Sequence, residues 1–486
     1  MPDNYTGPLE RIDDCRWRIP RSYKPFMRVD GIIYADDRLI QQIRGDKSPE
    51  QVANVACLPG IVGQSLAMPD IHWGYGFCIG GVAATDIDQG GVISPGGVGY
   101  DINCGVRLIR TDLTQADVQP RIEEIVRKLF ETVPCGVGCG GQIKFDRAEL
   151  QRLLREGARF VVECGFGWDS DLERTEASGC LPDARPEFVS PRALERGADQ
   201  CGTLGSGNHF LEVQVVEEVA DPAAAEAFGL AEGQITLMIH SGSRGLGYQV
   251  CEDSLKDLRP APQKYGIDLP DRQLVCAPVE SPEGQRYLGA MQAAANFAWA
   301  NRQIMAHLAR EVFSDIFRKP PELLGMRQVY DVAHNIAKIE THAVGGRPRR
   351  LCVHRKGATR AFPAGHPEVP RPYQQVGQPV LVPGDMGRSS WVLVGAPAAM
   401  EQTFGSCCHG AGRVMSRAAA IRSAKGRSIE RELRDQGIIA RSRERDGLAE
   451  EQPAAYKDVG VVADTVHLAG LSRKVAKLRP LGVIKG

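Results

Sequence analysis

No excess of either charge marks this chain: 59 lysines and arginines stand against 60 aspartates and glutamates, a formal net charge of −1. A phosphate polymer or an acidic membrane surface therefore has no global attraction for it, and any such contact has to come from a local patch. Long apolar runs are missing as well. No stretch reaches the ~20 residues that a membrane-spanning helix needs, and residues 1–15 are polar and charged without the apolar centre of a secretory signal. A cytoplasmic protein with no membrane association is expected. Internal repeats and low-complexity linkers are absent, which argues for a single compact catalytic domain over residues 1–486. Paired cysteine spacing is scarce: among 14 cysteines, Cys135 with Cys139 and the adjacent Cys407 and Cys408 come closest, and neither pair has the matching second half of a structural zinc site. The cysteines read as reduced thiols rather than as a disulfide framework.

Glycine and proline, by contrast, are plentiful, with 54 and 31 residues. Many turns favour an enzyme with long site-building loops over a helical bundle. The expected fold is α+β, with central mixed sheets surrounded by helices and an active site made of glycine-rich loops at strand ends. Residues 1–30 are expected as an N-terminal extension. The acidic, turn-rich residues 165–190 are expected as a surface excursion.

Chemistry-bearing residues sit where apolar, strand-like segments give way to glycine. Pro95 to Gly105 holds Asp101 and Cys104 three residues apart on a turn with little side-chain bulk. A hard oxygen and a soft sulfur there suit a divalent cation, which would keep the sulfur deprotonated. His209 lies at the entrance of a strand over 211–216, and His240 and His334 each end a strand. A hydrogen-bonded core histidine is the plain reading of each alone. Together, five potential ligands from four strand ends can supply a two-metal centre, whose ions sit roughly 3.5–4 Å apart and clamp oxygens in phosphoryl chemistry. The sulfur, nitrogen and oxygen donors suit manganese, iron or zinc. His409, in a glycine-rich loop read as leading into a basic helix over 414–425, is the candidate nucleophile or base at an anion site, with Asp70 as its orienting acid. His307, inside a long helix over 284–317, reads as structural. Arg347 to Arg360 carries six cations without an acid, suited to phosphate oxygens.

With these stretches in order, the chain resembles the RtcB-type family of RNA ligases from about Gly31 to Gly486. The carriers are Asp101-Ile102-Asn103-Cys104-Gly105, Gly205 to Glu212, His240-Ser241-Gly242-Ser243-Arg244-Gly245, His354 to Phe362, His409-Gly410-Ala411-Gly412-Arg413 and the terminal Lys485-Gly486. The resemblance implies joining an RNA 3′-phosphate or 2′,3′-cyclic phosphate to a 5′-hydroxyl in tRNA splicing or RNA repair, with GTP and two manganese ions and a covalent His409–GMP adduct. It implies that Cys104 is shared by both ions, that His240 and His334 complete one site, and that Asp101 and His209 complete the other. Positions matching guanylate contacts are Asn208, His209, Phe210, Leu211, Glu212, His334, Asn335, Pro383, Gly384, Asp385, Met386, Ser390, His409, Gly410, Ala411, Gly412, Tyr456 and Lys485. Arg244, Arg413 and Arg417 are candidates for RNA phosphates, and an archease-type activating protein is an implied partner. Many relatives carry serine where this chain has Asp385, with Arg388 in the same loop, so nucleotide preference can differ here. Two other readings use the same residues differently: a binuclear phosphodiesterase that needs no nucleotide, and a non-catalytic RNA-binding subunit that uses the 347–360 patch.

Overall fold

The computed structural model describes residues 4–444 and 446–486. Its architecture is α+β, one compact body in which two large mixed sheets are packed about by helices. The first sheet has seven strands in the order Glu10–Arg11, Arg16–Ile19, Gly31–Tyr34, Ile61–His72, Ile79–Asp86, Arg347–Lys356 and Asn335–Val344. The second runs Arg327–Ala333, Gly105–Thr114, Gln234–Ser241, Phe210–Val219, Ser472–Lys485, Ser390–Gly395 and Pro379–Val382, with an eighth strand, Ile439–Ser442, parallel to Ser472–Lys485. The central strands are buried over most of their length, as in Gln234–Ser241, where every residue after Gln234 is buried; such runs form where both faces are covered. His334 is the one residue between Arg327–Ala333 in the second sheet and Asn335–Val344 in the first. The chain changes sheets there, and the site assembles at this crossing.

The helix Pro282–Phe317 lies behind the crossing. Ser281 caps it by accepting a hydrogen bond from the Gly284 N–H. Its small and apolar residues from Ala290 to Ala300 are buried, so it packs within the largest core cluster rather than along the surface. Among these apolar residues are Asn296, Asn301, Arg302 and Gln303, all fully buried. Buried polar groups must find partners: Asn301 and Arg302 find them in the site loops, and Asn296 and Gln303 in the 154–181 segment.

Several sequence expectations change. Of the expected extension over 1–30, the described residues 4–30 join the first sheet, where Glu10–Arg11 and Arg16–Ile19 add two strands. Residues 165–190 are anchored rather than an excursion: Asp171, Thr175 and Glu176 are buried, and Asp171 takes a two-pronged hydrogen bond from Arg310 at 2.6 and 2.7 Å. The helix expected over 146–164 is two, Arg147–Glu156 and Ala158–Glu163, broken at Gly157 with φ +60°; a side chain there would run into the Gly179 carbonyl. The loop before His409 is a short strand, Ser406–Cys408, paired with Ala358–Arg360. The following helix begins only at Arg417 and is 7 residues long. His409 is therefore presented by a strand end and not by a helix N-terminus.

Candidate metal centre and nucleotide pocket

Strand ends bring the five candidate ligands together. Gly105–Thr114 pairs with Gln234–Ser241 so that Val106 lies opposite His240, and Phe210 pairs with His240 from the other side. Neighbouring strands lie about 4.8 Å apart, so residues at their aligned ends necessarily meet. Cys104 Sγ is 3.2 Å from His240 Nε2 and 3.4 Å from His209 Nε2. His240 Nε2 faces His334 Nε2 at 3.3 Å, and His209 Nε2 faces Asp101 Oδ2 at 2.8 Å. Two overlapping triads result, Cys104–His240–His334 and Asp101–Cys104–His209, with the donor atoms of each within 4.8 Å of one another.

The Leu204 carbonyl lies 3.0 Å from His209 Nδ1, with Arg244 Nη1 3.2 Å away on the same side. That carbonyl also accepts from Ser241 Oγ at 2.9 Å, and the Nε2 edge of the ring faces the Asp101 carboxylate and the Cys104 sulfur. Burial lowers the pKa of His209 and pushes those of His240 and His334 well below the ordinary histidine value, leaving the neutral imidazoles that metals bind. Burial also raises the Cys104 thiol well above its usual value. The donor set fits the divalent metals expected from the sequence.

The loops are held by the long helix. Asn103 adopts φ +50°, a left-handed conformation that asparagine tolerates better than most side chains. Its amide donates to the Ala295 carbonyl at 2.7 Å and accepts from Arg302 Nη2 at 3.0 Å. Arg302 also donates to the carbonyls of Asn103 and Ser241, and to both oxygens of Asp331 at 2.7 and 2.9 Å. One guanidinium thus fixes the turn carrying Cys104, the strand end carrying His240 and the strand leading to His334. Asn301 holds the 202–203 backbone and the Gly242 carbonyl in the same way.

His409 stands beside this cluster, its ring 4.7 Å from that of His334. Asp70 Oδ2 accepts from His409 Nδ1 at 2.6 Å and from the backbone N–H groups of His409 and Gly410 at 3.0 and 3.3 Å. Burial alone would raise the Asp70 carboxyl, yet the His409 ring and N–H hold it below the ordinary carboxylate range. With its hydrogen on Nδ1, His409 keeps a lone pair on Nε2.

A cavity of about 240 Å3 opens from the ligand cluster, lined on one side by His409 to Gly412 and on the other by Asn208, Phe210 and Glu212. Pro383 to Met386, Asn335, Tyr456 and Lys485 complete it. Burial pushes Glu212 up to about 7 against the opposing pull of Lys485. Lys485 lies 5.6 Å over the Phe210 ring and 3.6 Å from Glu451. Three expected contacts stand behind the wall: His209, turned into the ligand cluster, Leu211 and Ser390. Leu211 is buried in the opposite face of its strand, within the main core, and Ser390 Oγ lies 3.2 Å from the Gly384 N–H and 3.3 Å from Gln214 Nε2. Asp385 turns its carboxylate to its own loop, accepting from Gly387 N–H at 3.0 Å and from Arg388. Arg388 in turn donates to the Pro453 and Tyr456 carbonyls. The Asp385–Arg388 pair thus ties the 383–388 loop to the 453–456 turn.

Glu451 was missed in the sequence. It is buried, bonded by Tyr456 Oη and paired with Arg413 at 2.8 Å; it stands in an acidic tail with no flanking signature. His72, with Nδ1 2.9 Å from the Asp70 carbonyl, also lines the cavity. The 347–360 basic run is a correction of the opposite kind. Arg355 is fully buried on Glu340 at 2.7 Å, and Arg360 on Glu176 at 3.3 Å and Glu368. Lys356 donates to the Phe77 and Gly96 carbonyls, and Arg349 and Arg350 pair with Asp86 and Glu280. The second half of the run, from Arg355 to Arg360, consolidates the first sheet from inside, and only Arg347, Arg349 and Arg350 at its start reach solvent, which narrows the patch on which the RNA-binding-subunit reading rests. His307, as expected, is structural, set against Glu311 and edge-on to Phe166.

A family model described as tRNA-splicing ligase RtcB matches residues 51–486. Among curated proteins, "tRNA-splicing ligase RtcB" of Thermococcus kodakarensis is 55% identical over 479 residues, covering 99% of both chains. The protein of the same name from Archaeoglobus fulgidus is 55% identical over 483 residues, covering 99% of this chain and all of that one. "RNA-splicing ligase RtcB" of Mycobacterium bovis is 54% identical over 438 residues, covering 90% of this chain and all of that one.

Proposed function

Because the chain belongs to the RtcB family, we propose that it is an RNA ligase that joins an RNA 3′-phosphate or 2′,3′-cyclic phosphate end to a 5′-hydroxyl end, consuming GTP, in tRNA splicing or RNA repair. Asp101, Cys104 and His209 would hold one manganese ion, and Cys104, His240 and His334 a second. When bound, the ions supply positive charge to phosphate oxygens where negative charge develops.

The remaining work falls to side chains of this protein. Asp70 keeps the His409 hydrogen on Nδ1 and aims Nε2 into the cavity. Nε2 attacks the α-phosphorus of GTP; the P–N bond forms as the bond to the bridging oxygen breaks, and pyrophosphate leaves. A 3′-phosphate oxygen of the RNA then attacks the same phosphorus and frees His409. The 5′-hydroxyl oxygen attacks the RNA phosphorus last, the new 3′,5′ linkage forms, and GMP departs. A cyclic end is opened by water to the 3′-phosphate beforehand. At the far end of the cavity Glu212 and Lys485 suit guanine, since an acceptor meets its ring N–H and amino groups and a cation meets its carbonyl.

The observation that carries this reading is His409, fixed through Nδ1 by a buried Asp70 and standing against a metal ligand in a nucleotide-sized cavity. The test is incubation with α-labelled GTP and manganese. The expected product is an acid-labile, base-stable GMP adduct on the wild type that His409→Ala lacks. RNA-end processing with no adduct and no need of GTP would instead favour the phosphodiesterase.

A further inference from the structure

A second cavity, of about 720 Å3, lies outside the first and shares His72, Arg413 and Arg417 with it. We propose that this groove is the track for a single-stranded RNA end, with one base stacked on Trp73 and the adjoining phosphate on Arg417. This rests on the ligase reading and adds the place where RNA binds.

Trp73 is the tryptophan left open to solvent among the described residues' exposed large hydrophobic side chains, with 49% of its surface exposed. Its backbone is nevertheless held: its N–H donates to Asp46 at 3.3 Å, and the next residue, Gly74, exchanges hydrogen bonds with the Gln51 amide at 3.1 and 2.6 Å. An indole face fixed at a cavity mouth is a ready platform for a base. Every nucleobase has a face to stack, so the contact needs no particular sequence.

The charges of the groove fit a phosphate chain. Lys457, Arg413 and Arg417 line it with one acid, Asp46, whose oxygens accept from the Ser48 and Trp73 N–H groups; Arg413 is committed to Glu451 at 2.8 Å, so Arg417 is the cation open to a phosphate. Lys457 lies beneath, donating to the Pro69 and Ile71 carbonyls on either side of Asp70. Arg417 is 58% exposed and pairs with Glu450 at 3.0 Å. Exposed pairs of this kind contribute little, so a phosphate can take Glu450's place. The groove leads past His72 to His409, the distance a strand end must cover to meet its activated partner.

The test compares wild type, Trp73→Ala and Trp73→Phe in two assays. Fluorescence anisotropy with a labelled single-stranded RNA, without GTP, reads the groove directly; GMP-adduct formation reads the His409 site. Trp73→Ala should weaken RNA binding roughly tenfold, the scale of one lost stacked base, raise the KM for RNA in joining by a similar factor, and form the adduct as the wild type does. Trp73→Phe should recover most of the RNA affinity. Unchanged affinity in Trp73→Ala overturns the proposal and leaves the patch to a protein partner, with the ligase reading intact. Loss of the adduct in that variant also overturns it, because the residue would then support the nucleotide pocket. A wild type without adduct whose RNA binding still depends on Trp73 would sink the ligase reading and keep the groove.

Discussion

Asp70 spends a single carboxylate oxygen on three donors, the His409 ring and two backbone N–H groups. Removing its charge while keeping its shape, as in Asp70→Asn, allows the amide to rotate and offer a hydrogen to Nδ1, which would move the ring hydrogen to Nε2. The rate of adduct formation, followed by quenched-flow labelling, should fall by roughly a hundredfold or more, the usual loss when a base is mispositioned. A rate within about threefold of wild type would mean that Asp70 only braces the loop. Cys104 belongs to both ligand triads, whereas Asp101 belongs to one. Equilibrium dialysis against manganese should therefore find no bound ion in Cys104→Ala and one in Asp101→Ala. Retention of the full complement without the thiol would rule out a shared ligand. The candidacy of these residues was legible in the chain because each is a polar group set among glycines at a strand end. Glu451 and Arg302 carried no such flag; their partners lie elsewhere in the chain, as with Arg302 and Asn103 at 199 residues' separation.

Among the elements, the helix Pro282–Phe317 has the most to lose. Its length and apolar character are readable from sequence, and its bounds agree with that reading to within 2 residues at the start. Its part in the site is not readable, because a buried arginine in an alanine-rich helix looks the same whether it braces a core or a metal loop. Arg302→Met should destabilise the protein by about 3 kcal/mol or more, the range for stripping one partner from a buried ion pair, partly relieved by Arg107, which also bonds Asp331 at 2.8 Å. Chemical denaturation measures the loss, and manganese binding should weaken alongside it. Full metal affinity in a destabilised Arg302→Met would separate folding from site positioning. The basic strand Arg347–Lys356 carries the opposite lesson. Its cations read as a surface patch because their acids, Glu340, Asp86 and Glu280, come from other segments.

For the whole molecule, the number of buried ion pairs sets the response to acid. Burial alone would raise the carboxyls of Asp171, Glu176, Asp331 and Glu340, yet their arginine and lysine partners hold all four below the ordinary range. A depressed carboxyl stabilises the fold above the unfolded value near 4 and loses that contribution as pH falls through it. Burial also lowers His72 and His354 to about 4. Between there and about 6.5 only the unfolded chain takes up those protons, so stability should already decline below about pH 6.5 and fall more steeply below about pH 4. Calorimetry across pH 3–8 tests this, and a flat Tm down to pH 4 would show that the buried histidines add nothing.

Local chemistry along the chain determined which residues could act. Glycine beside aspartate, cysteine or histidine at the end of an apolar run is a signal carried within about ten residues, and it identified Asp101, Cys104, His209, His240, His334 and His409. The tertiary structure decided which of the remaining charges face inward. It turned Arg355 and Arg360 into internal struts, tied Asp385 to Arg388, and left Trp73 open in the groove that Arg417 also lines. The physical reason is that a ligand set or an ion pair is a matter of a few ångströms between strand ends far apart in sequence, where propensity and periodicity are silent. Only the pairing of strands across two sheets, joined at His334, fixes those distances.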